Sequence, residues 1–335
     1  MPEYLFPHMT SPVISAPMAF VSGAALAVAV TKAGGLGFIA AGYDIPAVEN
    51  ELREARRMLG VQDTRTLGVG VGVGFIAWGA DPDKVLPPIL ALRPCAIWVF
   101  STVPEDDYTP WVNAVHTLTP PGTTPPKVFA QVGSVTSARK AAEQGVDVIV
   151  AQSSDAGGHG GTRGCGLTSL VPEIIDAVHT THSHIPVYAA GGLVDGRGLA
   201  SVLALGADGG VFGTRFVATP EALPPRELKE VLVRASDGGQ CTTRTRVFDD
   251  MRGTTGWPMS FDGRALRNKT TIDGVTEAEN KKLYKEALHK KDYERLVVWA
   301  GTGVGLVKEI KPAGEVVREI WTDCGKTIKG LKARI

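Results

Sequence analysis

Eight short apolar runs, each followed by a stretch of helical character, organise the first 235 residues of this 335-residue chain. The runs are Val13–Ala16, Leu36–Ala40, Leu67–Val73, Ala96–Phe100, Lys127–Gln131, Val146–Ala151, Pro186–Ala190 and Gly209–Phe212. Helix-like segments follow them at Ser22–Ala33, Pro46–Met58, Asp83–Leu92, Glu105–Leu118, Val135–Gln144, Leu170–Val178 and Leu199–Leu205, with an eighth near Pro224–Ala235. Ser22 is a candidate N-cap and Gly34-Gly35 a helix stop. Short continuous apolar runs suit strands buried on both faces of a parallel sheet, and their alternation with helices gives βαβ units. A count of eight predicts a closed (β/α)8 TIM barrel; an open doubly wound sheet is the alternative.

The rhythm stops after Ala235. Ser236–Lys269 is rich in Gly, Thr, Arg and Asp, Glu277–Val298 reads as polar helices, and Gly301–Gly305 leads into a last helix, about Ala313–Lys329. The expected organisation is therefore a barrel over 1–235, an inserted cap or substrate subdomain over 236–300, and a segment over 301–335 that returns to the barrel. The appended part is expected to be mostly helical.

Charge excludes some partners. Lys+Arg and Asp+Glu both number 35, which argues against nucleic acid and against a polybasic membrane surface. Thr10–Thr31 carries no charge, but Pro12, Pro17 and several serines interrupt it, so it reads as a strand, a turn and an Ala-rich helix. The start, Met1-Pro2-Glu3-Tyr4, has no cationic segment ahead of an apolar one, and the four scattered cysteines read as reduced thiols. The expectation is a cytoplasmic location, with the oligomeric state open and a homo-oligomer among the alternatives. No Walker-type loop is present, and Gly35-x-Gly37-x-x-Ala40 enters a strand instead of following one. His179, His182 and His184 cluster at the predicted bottom of the barrel with no cysteine nearby, which argues against a metal.

In a (β/α)8 barrel the chemistry sits at the C-terminal strand ends. Run six ends in Gln152-Ser153-Ser154-Asp155-Ala156-Gly157-Gly158-His159-Gly160-Gly161. Glycines there expose backbone N–H groups to a flat or phosphorylated ligand, and His159, alone among seven histidines, directly follows a predicted barrel strand. An imidazole in that place can take a proton from a carbon acid. Run seven ends in Gly191-Gly192 and run eight in Gly213-Thr214, where barrels often bind phosphate. Run three alternates Gly68, Gly70, Gly72 and Gly74 with valines, leaving one face bare. Gly74 then either underlies a cofactor ring or belongs to a small-residue layer inside the barrel.

Together, QSSDAGGHG at Gln152–Gly160, AAGGLVDGRGLASVLALGADGGVFGTRF at Ala189–Phe216, Ala16-Pro17-Met18 and Gly301–Leu306 resemble the nitronate monooxygenases, formerly 2-nitropropane dioxygenases, over almost the whole chain. The resemblance implies a (β/α)8 barrel that binds FMN without a covalent bond. It implies flavin contacts at Pro17, Met18, Ala19, Gln131, Gln152, Gly157 and its neighbour Gly158, Gly191 and Gly192, and Val211, Phe212, Gly213 and Thr214. It implies His159 as catalytic base and places Thr302 near the flavin. Gly74 stands where many members carry Asn, so a side-chain contact is missing there. The implied reaction oxidises alkyl nitronates, or nitroalkanes, with O2 to carbonyl compounds and nitrite. Relatives that are NAD(P)H-dependent quinone or enoyl reductases share the loop and are the rival reading. A barrel that only binds a phosphorylated metabolite is the rival from outside catalysis.

Overall fold

The computed structural model describes residues 4–42, 44–61 and 70–334. Strand and helix alternate as β1 (Val13–Ser15), α1 (Ala24–Lys32), β2 (Gly37–Ala40), α2 (Ile45–Leu59), β3 (Val71–Ile76), α3 (Pro82–Ala91), β4 (Ala96–Phe100), α4 (Thr109–Leu118), β5 (Lys127–Val132), α5 (Val135–Glu143) and β6 (Val148–Gln152). An extra short strand, β7 (Gly158–Gly161), precedes α6 (Leu167–His182). Then come β8 (Val187–Ala190), α7 (Gly196–Ala204), β9 (Gly209–Phe212), α8 (Thr214–Val217) and α9 (Arg226–Arg234). The parallel sheet runs β1-β9-β8-β6-β5-β4-β3-β2. Ser15 N donates to Leu36 O at 3.0 Å and Leu36 N to Val13 O at 2.9 Å, which joins the two ends. The sheet is therefore a closed barrel and not an open doubly wound one.

Two-residue alternation along each strand decides which side chains fill the barrel and which face the helices. Ile14, Phe38, Trp98, Phe129, Val150, Tyr188 and Val211 point inward and pack as one cluster. Their neighbours Val13, Ile39, Val73, Ile97, Ala130, Ile149, Ala189 and Phe212 pack outward against the helices. Phe38 meets Trp98 edge-on at 5.2 Å and Phe129 at 5.3 Å, geometries worth about 0.5–1.5 kcal/mol each beyond area burial. The bare face of β3 serves this packing: a Cβ on Gly72 would lie 2.2 Å from the Phe38 ring, and one on Gly74 2.3 Å from Pro17. Gly72 and Gly74 thus leave room for the Phe38 and Pro17 rings inside the barrel. The expected beginning of that run, Leu67, Gly68 and Val69, lies outside the described residues.

Other expectations need local correction. Gly23, not Ser22, caps α1. Ser22 Oγ instead donates to Ala16 O at 3.0 Å and accepts from Met18 N at 3.2 Å, so it braces the turn after β1. The fourth helix begins at Thr109, not near Glu105. Among the described residues no group of three or more His, Cys, Asp or Glu is placed to hold a metal, and His179 Nε2 instead bonds Ile185 O at 3.0 Å. No described helix is long and apolar enough to cross a membrane.

The appended segment is mostly helical but contains two strands. α10 (Gly238–Cys241), α11 (Val247–Arg252), α12 (Lys269–Ile272) and α13 (Glu277–Lys290) surround two strands, β10 (Thr242–Thr245) and β11 (Phe261–Leu266). These pair antiparallel in the order β10-β11-β7, so a loop of the barrel supplies the third strand. The last helix, α14 (Ala313–Lys332), returns to the barrel. A Cβ on Gly196 would lie 2.3 Å from Cys324 N, so glycine at the start of α7 permits that close approach.

Candidate active site

A cavity of about 410 Å³ opens at the C-terminal strand ends beneath the small antiparallel sheet. That size falls within the range of sites for small molecules and cofactors. Pro17, Met18, Ala19, Gln131, Gln152, Gly157, Gly158, His159, Gly191, Gly192, Val211, Gly213 and Thr214 all line it. Strand parity explains much of this. Gln131 follows Phe129, Gln152 follows Val150, and Val211 shares their inner face, so all three project into the top of the barrel.

Two expected residues are not on the wall. Gly74 lies behind Pro17, whose ring occupies the space a Gly74 side chain would need. Phe212 has the outward parity of its strand, is fully buried in the helical layer and meets Phe216 edge-on at 6.4 Å.

The two glutamines have one half of each amide committed. Trp98 Nε1 donates to Gln131 Oε1 at 2.9 Å, which leaves the Gln131 amide nitrogen as donor. Gln152 Nε2 donates to His159 O at 3.0 Å, which leaves its Oε1 as acceptor. Gly191 and Gly192 have φ of +113° and +71°, conformations that favour glycine. Gly301 N donates to the Thr214 hydroxyl at 3.0 Å, and Thr302 N donates to Asp155 O at 2.9 Å. These bonds pin the closing segment onto the ends of β9 and β6. Thr302 is near the site by this route, through Asp155. A Cβ on Gly157 would lie 2.4 Å from Gly301 N, so this glycine also serves that close packing.

His159 is in β7, opposite Gly263 of β11. Arg244 Nη2 bonds Gly160 O at 2.9 Å and Gly161 O at 3.0 Å, reinforcing the pairing, and ion-pairs with Asp262. The His159 ring lies flat on Trp257, with centroids 3.8 Å apart and planes 7° apart, and Trp299 is 5.0 Å away. Its Nε2 is 2.9 and 3.0 Å from the two carboxylate oxygens of Asp249. Thr254 Oγ1 donates to the same carboxylate at 2.8 Å. A carboxylate only accepts, so Nε2 carries the proton in that bond, and Nδ1 is the ring nitrogen left outside it.

Asp249, Thr254 and Trp257 were not singled out from the sequence. They come from the segment after Ala235, where no strand-end pattern marks a position as functional.

A closed barrel with an imidazole held over a cavity at its strand ends defines a (β/α)8-barrel enzyme. Residues 5–60 and 124–323 match the family model for nitronate monooxygenase. A nitronate monooxygenase of Neurospora crassa is 40% identical over 98% of this chain and 93% of its own. Among solved structures, FabK from Thermotoga maritima superposes with a TM-score of 0.78 at 26% identity, covering 98% of this chain and 96% of its own. A nitroalkane oxidase from Streptomyces ansochromogenes superposes with a TM-score of 0.75 at 27% identity, covering 97% of this chain and 98% of its own. The chain belongs to the nitronate monooxygenase family, and it is an oxidoreductase.

Proposed function

We propose that this protein oxidises alkyl nitronates with O2 to carbonyl compounds and nitrite, with FMN as cofactor and His159 as the base that also admits neutral nitroalkanes. One observation carries the reading: an imidazole held through Nε2 by Asp249 shares a single cavity with the residues suited to a flavin. Ala16, Pro17, Met18 and Val211 offer apolar walls to a ring, and Gln131 and Gln152 offer one donor and one acceptor to its polar edge. Gly191, Gly192, Gly213 and Thr214 are where barrels of this type hold a phosphate. When bound, FMN supplies the redox and oxygen chemistry that side chains cannot.

The chain's own residues orient the substrate, exclude water and move one proton. With a neutral nitroalkane, His159 takes the proton from the carbon that bears the nitro group. A preformed nitronate needs no such transfer. Trp257 and Trp299 cover the imidazole, whose side chain is only 10% exposed. Atoms balance when two nitronates and one O2 give two carbonyls and two nitrites. The segment 236–300 forms the substrate side of the site.

The purified protein should show flavin absorbance, and ethyl nitronate should bleach it under anaerobic conditions without NADH. Bleaching by NADH but not by nitronate would assign an NAD(P)H-dependent reductase instead. Protein that stays colourless after FMN is added would remove both readings. His159→Ala should lower turnover of nitroethane by roughly 10²–10⁴-fold and that of ethyl nitronate much less. Unchanged activity on both substrates would remove His159 as base.

A further inference from the structure

We propose that Asp249 is the positioning residue of this site: it holds the His159 proton on Nε2, so that Nδ1 is the nitrogen that accepts the substrate proton. The role rests on His159 being the base, as proposed above.

The geometry is that of a fixed acceptor. Both Asp249 oxygens lie within 3.0 Å of Nε2, and the Asp249 side chain is 2% exposed. Among the described residues the carboxylate has no Lys or Arg partner; its side-chain contacts are the imidazole and the Thr254 hydroxyl. Burying a carboxylate without a fixed cation is unfavourable unless hydrogen bonds satisfy it. Here the satisfying group is the ring N–H. The Trp257 stack fixes the ring plane at the same time. A half-turn flip of the ring would keep the stack but take Nε2 away from Asp249, so the carboxylate decides which nitrogen faces it.

The same arrangement supports the product of proton transfer. The C–H bond at the nitro-bearing carbon breaks and an N–H bond forms at Nδ1. The electron pair moves into the C–N bond, and the negative charge moves onto the nitro oxygens. The imidazolium that results is already paired with Asp249, so its charge is compensated without any group moving in. Thr254 holds the carboxylate in place through that change. Asp249 never touches the substrate; it acts through His159, from 90 residues further along the chain.

The test uses the full-length protein and two independent readouts. Long-range proton–nitrogen NMR of histidine-labelled protein reports which ring nitrogen carries the proton, with the His159 signals assigned by their loss in His159→Gln. The wild type should show the Nε2–H form, and Asp249→Asn, whose amide can donate as well as accept, should lose that bias. In steady-state kinetics Asp249→Asn should lower kcat/KM for nitroethane by roughly 10²-fold or more while ethyl nitronate turnover is retained. Its isotope effect with nitroethane deuterated at the reacting carbon should rise. Asp249→Glu should restore part of the loss. A His159 protonated at Nδ1 in the wild type would overturn the assignment. So would an Asp249→Asn variant that loses both substrates in equal proportion, or neither. If Asp249→Asn does not fold, the wild-type spectrum and Thr254→Val, expected to weaken nitroethane turnover selectively, decide the matter. Failure of the wild type to oxidise any nitronate would count against the proposed function, while the NMR result would still report on the carboxylate.

Discussion

Gly74→Ala isolates the link between barrel packing and the cavity wall formed by Pro17, Met18 and Ala19. The new Cβ would lie 2.3 Å from Pro17 Cβ and 2.4 Å from Pro17 Cγ, against about 3.5–4.0 Å for a comfortable carbon contact. More than about 1 Å of movement is needed. β3 cannot supply it, because Gly74 is held in register with Ala40 on one side and Trp98 on the other. The Pro17 ring is rigid and tied to its own backbone, so the chain from Pro17 to Ala19 must shift. Overpacking of this kind costs about 1–3 kcal/mol. For a chain of this length a loss of 1 kcal/mol lowers the thermal midpoint by about 1.4 °C, so the midpoint should fall by roughly 1 to 4 °C. Met18 and Ala19 line the cavity, so FMN affinity should fall too. Gly72→Ala is the comparison: its Cβ would strike the Phe38 ring at 2.2 Å, deeper in the barrel, so it should lose stability while keeping FMN affinity. Circular dichroism melts and flavin fluorescence titrations read both quantities. A Gly74→Ala protein with wild-type midpoint and wild-type FMN affinity would refute the packing argument, and equal loss of affinity in both variants would refute its localisation.

The brace on β7 and the burial of the cysteines give two further outcomes. Arg244→Met removes charged bonds to Gly160 O and Gly161 O and the partner of Asp262; at about 1.5–3 kcal/mol for such bonds, hydrogen exchange at Gly158–Gly161 should accelerate clearly, and unchanged protection would refute the brace. Cys95 and Cys324 are buried, and burial pushes both thiols up, whereas Cys165 is half-buried; alkylation followed by mass spectrometry should label Cys165 ahead of Cys95 and Cys324, which should react only on unfolding.

The barrel was legible because its signal is local. Parallel strands buried on both faces read as unbroken apolar runs, and each boundary is marked by a glycine, a proline or a capping residue within a few positions. The position of His159 after run six, and of Gly191 and Gly213 after runs seven and eight, came from counting alone. What was not legible depends on residues far apart in sequence. Gly158-His159-Gly160-Gly161 has no intrinsic preference for a strand and becomes one only because β11 pairs with it. Asp249 and Trp257 sit in a Gly- and Thr-rich stretch whose composition suggests loops. The glycines of run three have two readings in the sequence, and the Phe38 and Pro17 contacts at Gly72 and Gly74 depend on residues distant from them in the chain. Phe212 was named with its neighbours as a block, although strand parity alone would have turned its side chain away from the cavity.

The imidazole of His159 and the ring that covers it depend on one strand register. His159 faces Gly263 across the β7–β11 pair, and a slip of one residue would turn the imidazole to the opposite side of the small sheet. Glycine at 263 is also what lets Trp299 lie against that sheet, since a Cβ there would fall 2.4 Å from the indole ring. The pairing therefore sets the side to which the imidazole points, brings Asp249 to its Nε2 and leaves room for the ring that covers it. A chain without the segment after Ala235 would lose α14 from the helical layer of the barrel and the bonds that Gly301 and Thr302 make to the ends of β9 and β6. It would also lose the backbone partners of residues 158–161 and every side chain that fixes the imidazole, so the cavity and the setting of His159 both depend on this segment.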